Sequence, residues 1–187
     1  MYHSTFLVNR QMITEPSQIM TSLSLYKDND GNKFENFFYR LEWYRIGISI
    51  PMDLYSAKMP VFQLRPECQL THSEKLQELP KDLDEGYFKI FIIPYKTATK
   101  NEDLDSDFIN NWFKKQIKGA ASVIESEFGP NNRLYYKKRP DDKELSQIQS
   151  YSLKGKLKVI DSQKLELIRS KPLGYYKELG CGLLLLD

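Results

Sequence analysis

Two cysteines and two histidines are all that this 187-residue chain offers of thiols and imidazoles. Cys68 and Cys181 make neither a metal-ligand spacing nor a disulfide framework, so a reducing compartment, the cytoplasm, is expected. No stretch approaches the roughly 20 consecutive apolar residues that a membrane span requires. The opening MYHSTFLVNR lacks the basic start and long apolar core of a signal peptide, so none is expected. An excess of one charge is missing too: 27 Lys and Arg stand against 25 Asp and Glu, for a net charge of +2. The molecule as a whole is therefore not a strong electrostatic magnet. Paired carboxylates, a Ser/His/Asp set and the glycine fingerprints of nucleotide-binding loops are also absent, so neither a metal nor a nucleotide cofactor is expected.

What is present is a globular composition, 41% hydrophobic and 28% charged, with the charge unevenly spread. NEDLDSD (101–107) is acidic, whereas RLYYKKRP (133–140) places Arg133, Lys137, Lys138 and Arg139 within one short stretch. LKGKLK (153–158) adds Lys154, Lys156 and Lys158, and Lys164, Arg169, Lys171 and Lys177 follow. Tyr135, Tyr136, Tyr151, Tyr175 and Tyr176 are interleaved with these cations. Such a basic, tyrosine-bearing end suits a polyanion, with the rings as stacking partners for bases. Taken alone, the same pattern also fits a solvated charged face with tyrosines filling a sheet.

The period of the apolar residues suggests the order of elements. STFLVN (4–9) reads as a strand. EPSQIMTSLSLYKD (15–28) reads as a helix with Pro16 in its first turn and Ile19, Met20, Leu23 and Tyr26 on one face. Residues 34–50 read as two strands with a break near Gly47, and a weaker strand is expected at 61–70. GYFKIFIIPYK (86–96) alternates as a strand. DSDFINNWFKKQIKGAASVIE (105–125) reads as one long helix capped by Asp105 or Ser106, ending at FGPNN. Hairpin strands follow over 133–160, then a helix at 161–170 capped by Asp161 or Ser162, then a last strand in GCGLLLLD. The order predicts an α+β protein of two tandem ferredoxin-like (split βαβ) domains, 1–84 and 85–187.

The closing stretch GYYKELGCGLLLLD is the least ordinary feature. Gly174, Gly180 and Gly182 around Lys177 form a loop whose amides and ammonium suit a phosphate. A turn that needs positive φ before a buried strand explains the same glycines equally well.

Six segments, in order along the whole chain, resemble one known family. MYHSTFLVNR, FFYRLE (37–42), KMPV (58–61), YFKIFIIPYK, WFKKQIKGAASV (112–123) and GYYKELGCGLLLL are similar to the CRISPR repeat-processing endoribonucleases of the type I-E Cascade complex, the CasE group. The resemblance implies two ferredoxin-like domains that bind the stem-loop of CRISPR repeat RNA. It implies metal-independent cleavage at the hairpin's 3′ base, in which a ribose 2′-OH attacks the adjacent phosphate and leaves a 2′,3′-cyclic phosphate. The protein then stays on the guide RNA with the other Cascade subunits. Arg133, Lys137, Lys138, Arg139, Lys154 and Lys156 are the expected RNA contacts of the basic hairpin region. Gly174, Tyr175, Lys177, Gly180 and Gly182 are those of the closing loop. The family's catalytic histidine, however, falls on Met20, and the tyrosine one turn before it falls on Ser17. A thioether transfers no proton near neutral pH, so His3, Tyr2, Ser17 and Tyr26 stand as substitutes, with Lys177 as an electrophile. The alternative is a non-catalytic mimic that occupies a Cascade-type complex or sequesters guide RNA.

Overall fold

The structure, a computed structural model, describes residues 1–41, 47–61, 65–76, 79–80, 82–93, 106–136, 142–144 and 146–186. Two four-stranded sheets carry the architecture. The first is built from β1 (Tyr2–Asn9), β2 (Phe37–Leu41), β3 (Ser49–Ser56) and β4 (Cys68–Lys75), in the order β2-β3-β1-β4. The second uses β5 (Glu85–Ile92), β6 (Ala121–Tyr136), β7 (Ser146–Val159) and β8 (Leu185–Leu186), in the order β6-β7-β5-β8. Both orders are the fourth-first-third-second arrangement of a split βαβ fold, and every register determined is antiparallel. The expected α+β class, with two ferredoxin-like sheets, is what the chain forms.

By contact the chain sorts into two compact units, each interrupted in sequence. The first is Met1–Leu76 with Leu134–Gln147 and Glu178–Gly180; the second is Gln77–Arg133, Ile148–Lys177 and Cys181–Asp187. The strands of the first sheet all precede residue 84, and those of the second begin at Glu85.

Strand alternation sets the core of the first unit. Phe6 and Val8 of β1, with Ile50, Met52 and Leu54 of β3, point to one face, where Ile19 and Leu23 of α1 (Ser17–Leu23) cover them. α1 is shorter than the expected 15–28. After Leu23 the Asp28 carboxylate accepts the amides of Asp30 and Asn32, each at 2.9 Å, which offers the backbone a turn in place of a helix. Lys58 then joins that turn through Asp28 (2.7 Å) and Asp30 (2.9 Å).

In the second unit, α2 (Ser106–Gln116) lays Ile109 and Phe113 on the sheet, and Phe113 stacks on Phe88 at 4.9 Å between centroids. The long helix expected to Glu125 is a misreading. Gly119 at φ 80° closes the helix, the amides of Ala120 and Ala121 return to the Ile117 carbonyl, and β6 starts at Ala121. β6 also runs straight through Gly129 and Pro130, where a break was expected. α3 (Ser162–Arg169) is capped by Asp161, whose carboxylate accepts the Lys164 amide at 3.0 Å. The expected strand at 61–70 lies further on, at Cys68–Lys75. In the closing stretch only Leu185 and Leu186 pair with β5, while Leu183 and Leu184 are buried in irregular backbone.

Candidate nucleic-acid interface

The closing loop is defined by its backbone. Gly174, Gly180 and Gly182 have φ of 80°, 78° and 92°, and Tyr176 joins them at 55°. At Gly182 the left-handed conformation coincides with close approach: a β-carbon there would lie 2.1 Å from the Leu173 carbonyl oxygen. The Gly182 amide donates to Phe91 at 2.5 Å, the Leu173 amide donates to Gly182 at 2.7 Å, and the Tyr175 amide donates to Ile93 at 3.2 Å. These bonds moor the loop to the end of β5. Beyond them Tyr175 and Lys177 are exposed, Lys177 opening a 3₁₀ turn (Lys177–Leu179). The backbone shows the turn that the glycines were expected to need, with Lys177 exposed on it.

The tyrosines separate into two groups. Tyr175 and Tyr135 are exposed. Tyr136 and Tyr151 are buried, and Tyr151 stacks on Phe128 at 5.3 Å, so as stacking partners for bases these two are corrected to core residues. Arg133 is exposed on β6. Lys154 and Lys156 lie on β7 opposite Lys89 and Tyr87, but each already holds an acid: Lys154 is 3.0 Å from Glu127, and Lys156 pairs with Glu85, which raises the Lys156 pKa. Lys137, Lys138 and Arg139 lie outside the described residues.

In the first unit, Ser17 and Met20 share the half-buried side of α1, and Met20 packs against the core. His3 does not share that side. It alternates with Ser4 and Phe6 on β1, so it projects to the sheet face opposite the one α1 covers. There its Nε2 is 3.1 Å from Asp53 and its Nδ1 is 3.8 Å from Glu74, with the Tyr55 ring at 4.9 Å. The hydrogen bond to Asp53 raises the His3 pKa above its ordinary value, against the opposing effect of burial. His72 lies 3.6 Å from the same Glu74. Because the two carboxylates flank opposite nitrogens of His3, the group is a chain and not a convergent ligand set; among the described residues no such metal cluster occurs. Tyr26 is buried edge-on against Phe6, and burial pushes its phenol well above the usual range. Cys68 is likewise pushed up to about 12 by burial, which makes it a core residue and no nucleophile. Tyr2 is half-buried at the start of β1.

One residue escaped the sequence reading. Tyr39, at the centre of β2, donates its hydroxyl proton to the main-chain carbonyl of Glu178, and the Pro16 carbonyl stands 3.3 Å from the same hydroxyl. Nothing local in FFYRLE announces a partner so distant in sequence.

No family model matches this sequence, and no curated protein matches it either. Solved structures do. Cas6e from Escherichia coli K-12 superposes with a TM-score of 0.80 at 20% identity, covering 100% of this chain and 98% of that one. The chain has the Cas6e/Cse3 fold. Thermus thermophilus Cse3, bound to an RNA representing a pre-cleavage complex, gives 0.70 at 18% identity, again over 100% and 98% of the two chains. A chain of a CRISPR RNA-guided surveillance complex gives 0.71 at 14% identity, with the same coverage. In this Cas6e/Cse3 fold the likeness spans both sheets and the closing loop, so no segment of the chain is left over as a separate module. Among the described residues, no helix is long and apolar enough to cross a membrane.

Proposed function

We propose that the chain binds the stem-loop of CRISPR repeat RNA and stays on the 3′ end of the guide RNA as a subunit of a Cascade-type complex. The observation that carries this reading is the end-to-end likeness to Cas6e and to RNA-bound Cse3, although identity is about one residue in five. The closing loop supports it, since an exposed ammonium beside turned backbone suits a phosphate. In this reading 1–84 and 85–187 are the two ferredoxin-like halves, and Lys137, Lys138 and Arg139 join Arg133 in contacting the stem.

Met20 favours holding the RNA over cutting it. Cleavage through a 2′,3′-cyclic phosphate needs a proton taken from the 2′-OH and one delivered to the leaving oxygen, and a thioether does neither. His3 lies on the opposite sheet face and Tyr26 is a buried neutral phenol, so Ser17 and Tyr2 are the substitutes nearest in kind to a group on the α1 side. The second reading, a non-catalytic mimic in a Cascade-type complex, draws on the same residue. A gel-shift titration with the cognate repeat tests the proposal. Preference for the stem-loop over unstructured RNA of equal length is expected, and equal affinity for both would reject it. Assembly with Cascade proteins that survives neutralising Lys137, Lys138, Arg139 and Lys177 would favour the mimic.

A further inference from the structure

Tyr39 reaches the backbone of the segment that follows Lys177. It pairs with Leu54 at the centre of β2, an edge strand of the first sheet, and its side chain is enclosed in the core. A tyrosine hydroxyl has one proton to give. Here it goes to the carbonyl of Glu178, the residue after Lys177, while the Pro16 carbonyl at the start of α1 lies 3.3 Å from the same oxygen. The ring also fixes what stands at Gly180. A β-carbon there would come within 2.9 Å of Cε2 and 3.1 Å of Cδ2, so the loop rests on the ring edge with only hydrogen between them.

We propose that Tyr39 is a positioning residue, a latch that holds the turn after Lys177 against the start of the helix bearing Met20. The inference rests on the RNA-binding reading and deepens it, because it says what holds the backbone next to the cation of the closing loop. Glu178, Leu179 and Gly180 belong by contact to the first unit, while Lys177 and the residues before it belong to the second. The chain therefore changes unit at the residue that carries the charge. A carbonyl that loses the donor holding it finds another or moves toward water. With the turn released, the backbone that carries Lys177 loosens, and part of the binding energy goes to ordering it again.

Tyr39→Phe removes the hydroxyl and keeps the ring, so the seat of Gly180 is preserved. Amide hydrogen exchange at Leu179 and Gly180 is expected to quicken about fivefold or more, the loss of one hydrogen bond in a local opening. Affinity for the repeat stem-loop is expected to fall by a similar factor, about fivefold. The decisive comparison repeats Tyr39→Phe in a Lys177→Ala background. There exchange should quicken as before, yet RNA affinity should fall no further, because the latch acts through the missing lysine. Unchanged exchange in Tyr39→Phe overturns the latch. Affinity losses that add fully in the double variant overturn its action through Lys177. If the wild-type protein shows no stem-loop preference at all, the RNA reading has failed instead, and the exchange arm decides the latch by itself.

Discussion

Met20 is half-buried on α1, with its thioether against the core of the first unit. Imidazole titrates near neutral pH and a thioether does not. Met20→His is therefore expected to raise metal-independent cutting of repeat RNA by about 10²–10⁴-fold, read in single-turnover reactions containing EDTA. A variant that binds the stem-loop and cuts no faster than wild type would remove α1 from the chemistry. His3 carries a prediction of another kind. Asp53, and behind it Glu74, hold its proton more tightly in the folded chain than in the unfolded one, where the value is 6.5. That pairing contributes stability in full below about pH 6.5 and loses it as pH rises through the higher folded value. Thermal unfolding across pH should show His3→Gln melting below wild type under acidic conditions, with the gap closing as pH rises. A gap that widens with pH has the opposite sign and rejects the pairing.

At the scale of elements, the closing loop is the part least able to accept change. Gly182→Ala places a β-carbon against the Leu173 main chain at 2.1 Å and at a φ of 92°. Neither partner is a side chain that swings away, so the loss is expected to reach at least about 2 kcal/mol. Gly129→Ala, with nothing within 4 Å, should stay within about 0.5 kcal/mol. Denaturant midpoints of the two variants make the test, and similar losses would mean that the loop relaxes. The same element shows why sequence reading succeeds and fails. β1, β5 and α3 were legible because one face of each is apolar at the right period and Asp161 caps where it should. The end of α2 was not, since Gly119 and the two alanines after it are tolerated in a helix until a positive φ at Gly119 decides otherwise. Lys177 and its glycines were legible as a loop, whereas Tyr39 as its anchor was not: the hydrogen bond joins residues 139 apart, and no local period encodes such a contact.

Across the whole molecule a net charge of +2 leaves little general attraction for RNA, so affinity must come from cations placed to meet phosphates. The expected cations are not equivalent. Glu85 and Glu127 already partner Lys156 and Lys154, and Asp84 lies 3.9 Å from Lys158, so the cationic row of β7 is largely neutralised by neighbouring acids. Lys177, exposed on a turn latched at the next residue, has no such partner among the described residues. An unpaired lysine that neutralises a phosphate releases a cation condensed on the RNA and so adds to the salt dependence of binding; one already paired with a glutamate must give up that pair to do so. Lys177→Ala should therefore lower the slope of log affinity against log salt by about 0.7–0.9, one phosphate contact. The double change of Lys154 and Lys156 to Ala should lower it by less than that single change. Fluorescence anisotropy with the repeat stem-loop over a range of salt concentrations reads both slopes. A larger fall for the double variant would move the phosphate contacts from the closing loop to the face of the second sheet.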